Sequence, residues 1–101
     1  MNKARSNYIY RLIGKVQNKV KRKSTDEKYQ GTYFYQLNVS IENKEVKKIF
    51  AFPYALENKT VWEKIEKDDY LDKRYTFFCK NYRGYYRIID WQELENHEQK
   101  T

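Results

Sequence analysis

Between residues 32 and 41 the chain alternates. Tyr33, Tyr35, Leu37, Val39 and Ile41 fall on one face, with Thr32, Phe34, Gln36, Asn38 and Ser40 on the other. A period of two predicts a half-buried strand. Residues 8–20 are rich in Tyr, Ile, Leu and Val and predict a longer strand interrupted by Gly14. A glycine inside a strand marks a bulge or a sharp bend. Polar residues 21–30 predict a loop closed by Gly31, and Glu42-Asn43-Lys44-Glu45 predicts a hairpin turn. A third strand follows over 46–52 and stops at Pro53, so strands two and three are expected to pair antiparallel.

The period then changes. Thr60 followed by Glu63 has the spacing of a capping box, and Val61, Trp62 and Ile65 form a short apolar stripe. A helix is therefore expected at 61–68 with Thr60 as its N-cap. Asp68 and Asp69 oppose the helix dipole at that end and argue for a stop one or two residues earlier. Residues 74–80 and 85–91 predict two further strands joined by Asn81-Tyr82-Arg83-Gly84. The order β-β-β-α-β-β predicts an all-β fold, a five-stranded Greek-key barrel of the OB type with one helix between strands three and four. A long first strand with a central glycine can bend and pair in both halves of such a barrel; the competing expectation is another small α+β sheet with the same element order. The barrel domain is expected to span residues 1–92, followed by a polar, acidic tail over 93–101.

At 101 residues, 40% apolar and 18% aromatic, the chain suits one domain with one modest core and is not expected to be disordered. No apolar run approaches the roughly 18 residues of a membrane helix, and Met1-Asn2-Lys3-Ala4-Arg5-Ser6-Asn7 is not followed by a signal-peptide core. An intracellular protein without membrane partners is expected. The lone Cys79 cannot form an internal disulfide, and with one histidine a four-ligand zinc site is out of reach. No cofactor or metal is expected. Nor is an enzyme: there is no phosphate-cradling glycine loop, His97 sits in the polar tail, Glu63 and Glu66 read as a solvated helix face, and Cys79 reads as a core residue. Trp62 and Trp91 are read as structural. Lys, Asn, Tyr and Ile supply 41 residues; their AT-rich codons point to an organelle genome, such as a plastid's, or to a low-GC bacterium.

Charge alters the picture most. The net charge is +7, and residues 1–23 carry eight basic groups and no acid. A second cluster, Lys80, Arg83 and Arg87, follows in the last hairpin. Gathered on one face, these cations would bind a polyanion with affinity that falls steeply with salt. Tyr75, Phe77, Phe78, Lys80, Tyr82, Arg83, Tyr85, Tyr86 and Arg87 interleave rings with cations, the two ingredients of a single-strand binding groove. Eleven tyrosines also exceed what so small an interior can supply with hydroxyl partners.

Asn7-Tyr8-Ile9-Tyr10-Arg11-Leu12-Ile13-Gly14-Lys15-Val16 resembles the opening strand of the single-stranded DNA-binding protein family, which includes the primosomal replication proteins. Tyr35-x-Leu37-x-Val39 resembles its second strand. Lys48-Ile49-Phe50-Ala51-Phe52 with Ala55-Leu56-Glu57 resembles its third strand and helix entry, and Tyr70-Leu71-Asp72-Lys73-Arg74-Tyr75 its approach to strand four. The similarity covers residues 7–92. Three features depart from it: Pro53 in place of a glycine, a very short connection between strands four and five, and a tail without the acidic tip ending in a hydrophobic residue that recruits other replication proteins. The last departure points to a shorter, primosomal-protein-like or organellar relative.

The resemblance implies single-stranded DNA binding in replication or DNA maintenance by a dimer or tetramer. It places Lys48 and Phe52 against nucleic acid on strand three. Phe34 is a candidate stacking residue on strand two; Lys80, Tyr82, Arg83 and Tyr85 come from the last hairpin; Lys15, Lys21, Arg22 and Lys23 would steer phosphates. RNA binding and a protein-interaction subunit of a larger assembly are the competing readings, since stacking and phosphate contacts serve RNA equally.

Overall fold

The computed structural model describes residues 8–25, 28, 31–41 and 45–94. The basic residues Lys3 and Arg5, the turn at 42–44 and the tail from 95, with His97, lie outside the described residues. Five strands, β1 (Tyr10–Lys23), β2 (Tyr33–Ile41), β3 (Glu45–Ala51), β4 (Tyr75–Tyr82) and β5 (Tyr85–Glu93), close into a barrel in the order β1-β2-β3-β5-β4. One helix among the described residues, α1 (Lys59–Glu66), lies between β3 and β4. Closure uses a short parallel pairing of β3 with β5 and an antiparallel pairing of β1 with β4. This is the OB arrangement expected from the element order.

Strand β1 makes closure possible by serving two neighbours. Residues 10–14 pair with β4 and residues 14–23 with β2, so Gly14 faces both Tyr75 and Ile41. A Cβ at Gly14 would sit 2.3 Å from the Ser40 carbonyl oxygen and 2.9 Å from Val39 Cγ1. Only glycine allows that approach. The bulge, however, is three residues later. Val16 pairs with Val39 and Asn18 with the adjacent Asn38, leaving Gln17 as the extra residue.

The bulge inverts the facing of everything after it. Lys19, Lys21 and Lys23 pair with Leu37, Tyr35 and Tyr33 on the inward face, whereas Arg22 pairs with Phe34 on the outward face. Residues 21–23, expected in a loop, thus belong to the strand. Each pairs with a ring across the ladder, Lys21 with Tyr35, Arg22 with Phe34 and Lys23 with Tyr33, and such pairing outweighs a weak intrinsic strand preference.

The inward positions of the alternating strands form the core. Leu37, Val39, Ile49, Phe77, Cys79 and Ile88 are fully buried, each large apolar one contributing about 1.5–3 kcal/mol. Val61 and Ile65, four apart on α1, close one end of the barrel. Trp91 stacks on Tyr75 at 4.2 Å inside, and Trp62 packs on Tyr33 and Tyr35.

Two boundaries differ from expectation for identifiable reasons. The helix begins at Lys59, because Asn58 is the N-cap and its side-chain oxygen accepts from the Thr60 N–H at 3.0 Å. Asn58 satisfies an orphan donor one turn earlier than the Thr60–Glu63 box would. The last hairpin turns on two residues, Arg83 (φ 53°) and Gly84 (φ 94°), the backbone of a type I′ turn. Its strands are accordingly longer than predicted, and Glu93, though exposed, pairs with Tyr75 as the last residue of β5 instead of opening the tail.

Gly14→Ala should destabilise the fold by about 1–3 kcal/mol in urea unfolding, because the Ser40 backbone must move. Asn58→Ala should cost about 1 kcal/mol and Thr60→Ala distinctly less; the reverse order would restore Thr60 as the cap.

Candidate nucleic-acid interface

The outward positions of β2, β3 and β5 carry rings where an ordinary solvent face carries polar groups. Phe34 of β2 and Phe50 of β3 lie with Phe52, just past β3, at centroid separations of 4.7 Å (Phe34–Phe52), 6.1 Å (Phe34–Phe50) and 6.5 Å (Phe50–Phe52). Tyr54 joins at 5.3 Å from Phe52, Tyr85 at 5.1 Å from Phe50, and Tyr82 at 5.9 Å from Tyr85. Alternation explains the gathering: Val46, Lys48 and Phe50 share the outward face of β3, opposite Ser40, Asn38 and Gln36 of β2. Phe52 is only 9% exposed and forms a floor, whereas Tyr54 (48%) and Tyr82 (43%) stand open to solvent.

Arg87 of β5 sits among these rings. Its guanidinium carbon is 4.3 Å from the Tyr82 centroid, 5.0 Å from Phe52 and 5.8 Å from Tyr54. Each such contact contributes about 0.5–2 kcal/mol, more as the cation is desolvated. Arg87 Nε is buried and has no hydrogen-bond acceptor among the described residues, a deficit that costs about 1–3 kcal/mol. No carboxylate among the described residues forms an ion pair with it. A cleft of about 370 Å³ opens beside it between the β1–β2 connection (Ser24, Thr25, Lys28), the rings of Phe34, Phe52 and Tyr54, and the last hairpin (Tyr82, Tyr85). A second cleft of about 470 Å³ continues along Val46, Lys48, Phe50 and Tyr85, where β3 and β5 pair through only two residue pairs. No acid occurs among the described residues lining either.

The predicted cations divide. Arg22 stands beside Phe34 and donates from Nε to Gln36 Oε1 at 2.8 Å, which leaves its terminal amino groups available. Gln36 donates to Asn38 at 3.0 Å and Asn38 to Asn18 at 2.7 Å, so a line of amides flanks the rings. Lys48 lies beside Phe50, Lys80 pairs with Arg87 across β4 and β5, and Arg83 lies 5.5 Å from the Tyr82 ring at the hairpin tip. Lys15 also faces outward, but opposite Ser40 and near Arg74, at the far end of β2 from Phe34.

Lys21 and Lys23 do not join this face. Lys21 Nζ lies 4.1 Å from the Tyr33 ring on the helix side of the sheet. Lys19 Nζ there donates to the Ile65 carbonyl at 2.9 Å and pairs with Asp68 at 2.7 Å, a cation well placed at a helix C-terminus. Asp68 is held below the usual carboxylate range, first by its bond from Lys19 and then by the Tyr70 hydroxyl. Tyr33 donates its hydroxyl to Glu66, as does Tyr35 at 3.5 Å. These groups tie α1 to the barrel.

Phe50, Tyr54 and Arg87 complete the outward cluster beyond the site predicted from sequence. Phe50 was legible from its even spacing with Lys48 and Phe52, and Arg87 from its basic cluster; Tyr54 follows Pro53 and carries no periodic signal. Cys79 is fully buried, and burial pushes its thiol up to about 12. Among the described residues no group of three or more His, Cys, Asp or Glu could hold a metal ion, and no helix is long and apolar enough to cross a membrane. No protein-family model and no curated protein matches the chain.

The Tyr33 hydroxyl is pushed from 10.0 up to about 12, mainly by its bond to Glu66 and then by desolvation. A phenol whose ionisation is raised by folding stabilises the fold fully below its unfolded value and loses that contribution as pH rises. The Tyr33–Glu66 tie should therefore be intact below pH 10 and lost through about pH 12. Tyrosinate absorbance should show Tyr33, and to a smaller extent Tyr35, titrating earlier in Glu66→Gln than in the parent protein; an unchanged titration would contradict the contact.

Proposed function

We propose that this chain is a non-enzymatic domain that binds single-stranded nucleic acid, DNA in preference to RNA, along the outward face of β2, β3 and β5. The observation that carries the reading is the ring cluster around Arg87, open at two clefts with no acid among their described lining residues and rimmed by Arg22, Lys48, Lys80 and Arg83. OB barrels present oligonucleotides or oligosaccharides with the same face, between the β1–β2 and β4–β5 connections. The cationic rim favours a polyanion over a neutral sugar. Bases would stack on Tyr54 and Tyr82, and phosphates would meet the rim cations. The preference for DNA, and a place in replication or DNA maintenance, rest on the strand patterns that resemble the single-stranded DNA-binding protein family.

Intrinsic fluorescence should be quenched by oligothymidylate, and the affinity should fall linearly in log–log form with salt, by about 0.7 per phosphate neutralised. Tyr54→Ala and Tyr82→Ala should each cost about 1–3 kcal/mol of binding. Arg22→Glu and Lys48→Glu should weaken binding, whereas Lys21→Glu, on the helix side, should leave it unchanged. Equal losses from Arg22→Glu and Lys21→Glu would overturn the choice of face. An absence of binding at tens of micromolar would leave the protein-interaction module as the reading.

A further inference from the structure

We infer that the cleft at Arg87 is a base pocket selective for guanine, so that the strand is held with a preference for sequence; the inference rests on the nucleic-acid reading above. A sequence-indifferent groove needs only stacking rings and rim cations that follow the backbone. Arg87 differs from the rim cations in two respects. Its guanidinium is confined by Tyr82, Phe52 and Tyr54, which restrict its plane. Its Nε is buried with no acceptor among the described residues, and the residue lines a cleft of about 370 Å³.

The acceptor that fits is part of a base. A phosphate drawn in among Phe34, Phe52, Tyr54 and Tyr82 would lose hydration with only Arg87 and Lys28 to replace it, while Arg22, Lys48, Lys80 and Arg83 offer it solvated partners outside. A flat base entering the same cleft gains ring contact on its faces and brings its edge to the fork. Guanine presents two adjacent acceptors, O6 and N7, that match an arginine fork. Adenine sets an amino donor beside N7 and repels the guanidinium. Cytosine has an adjacent acceptor pair at O2 and N3, but its single ring covers less of the aromatic wall. Lysine, a point charge without the planar fork, cannot substitute for arginine in such reading.

Competition binding at fixed salt should compare an oligothymidylate of about 15 nucleotides with versions carrying one central dG, dA, dC or 7-deaza-dG. The dG strand should bind between about fivefold and a hundredfold tighter than oligothymidylate or the dA strand. The 7-deaza-dG strand, which stacks alike but lacks N7, should lose most of that gain in the unaltered protein. In Arg87→Lys the ratio of dG to oligothymidylate affinity should fall to about one, whatever the change in overall affinity. Equal binding of dG and 7-deaza-dG, or tightest binding of dC, would overturn the guanine pocket while oligothymidylate binding kept the broader reading intact. Failure of every strand to bind would overturn both.

Discussion

A single strand that bends at Gly14 and gains one residue at Gln17 governs the rest of this molecule. The bend lets β1 leave β4 and join β2, because backbone meets backbone at Ser40 with no room for a Cβ. The extra residue then exchanges the two faces of the strand. Without it, Lys19 and Lys21 would emerge on the outer face opposite Gln36 and Phe34, and Arg22 would lie opposite Tyr33 on the helix side. Barrel closure, the attachment of α1 and the cation content of the outer face all depend on these two adjacent irregularities.

The two sides of the sheet use the same residue types to different ends. On the helix side, Lys19 and Lys21 lie over Tyr35 and Tyr33; Lys19 finds partners in Asp68 and a helix carbonyl, and both phenols donate to Glu66. These polar ends are compensated, which is what a structural junction requires. On the outward side, Arg87 also lies among rings, but among the described residues its Nε has no acceptor and no carboxylate forms an ion pair with it. The contrast between a satisfied and an unsatisfied cation–ring cluster is the physical basis for assigning function to one face only.

The abundance of tyrosine has the same logic. Buried phenols need partners, and Tyr75 shows the cost: its hydroxyl is buried without one among the described residues, and burial pushes its ionisation up to about 12. Tyr33, Tyr35 and Tyr70 avoid that cost by bonding Glu66 or Asp68, and Tyr54 and Tyr82, on the proposed strand path, stay exposed.

Much of the architecture could be read from residue order. Alternation over 32–41 correctly set Tyr35, Leu37 and Val39 inside, although Gln36 of the opposite face is buried as well and Tyr33 and Ile41 only half so. The glycine in the first strand correctly signalled a change of partner, and the element order correctly specified a five-stranded barrel with one helix. These are local matters of period and backbone freedom, carried by neighbouring residues. Phe34, Phe52, Tyr82 and Tyr85 do meet in one cleft, since strand parity fixes which rings can share a face. Lys21 and Lys23 were misplaced because parity fails across a bulge, and nothing in Val16-Gln17-Asn18 announces where an extra residue will be accommodated. The confinement of Arg87 by Tyr82, Phe52 and Tyr54 was equally hidden: it joins β5 to β4 and to the turn after β3, and only barrel closure brings those segments within reach of one side chain.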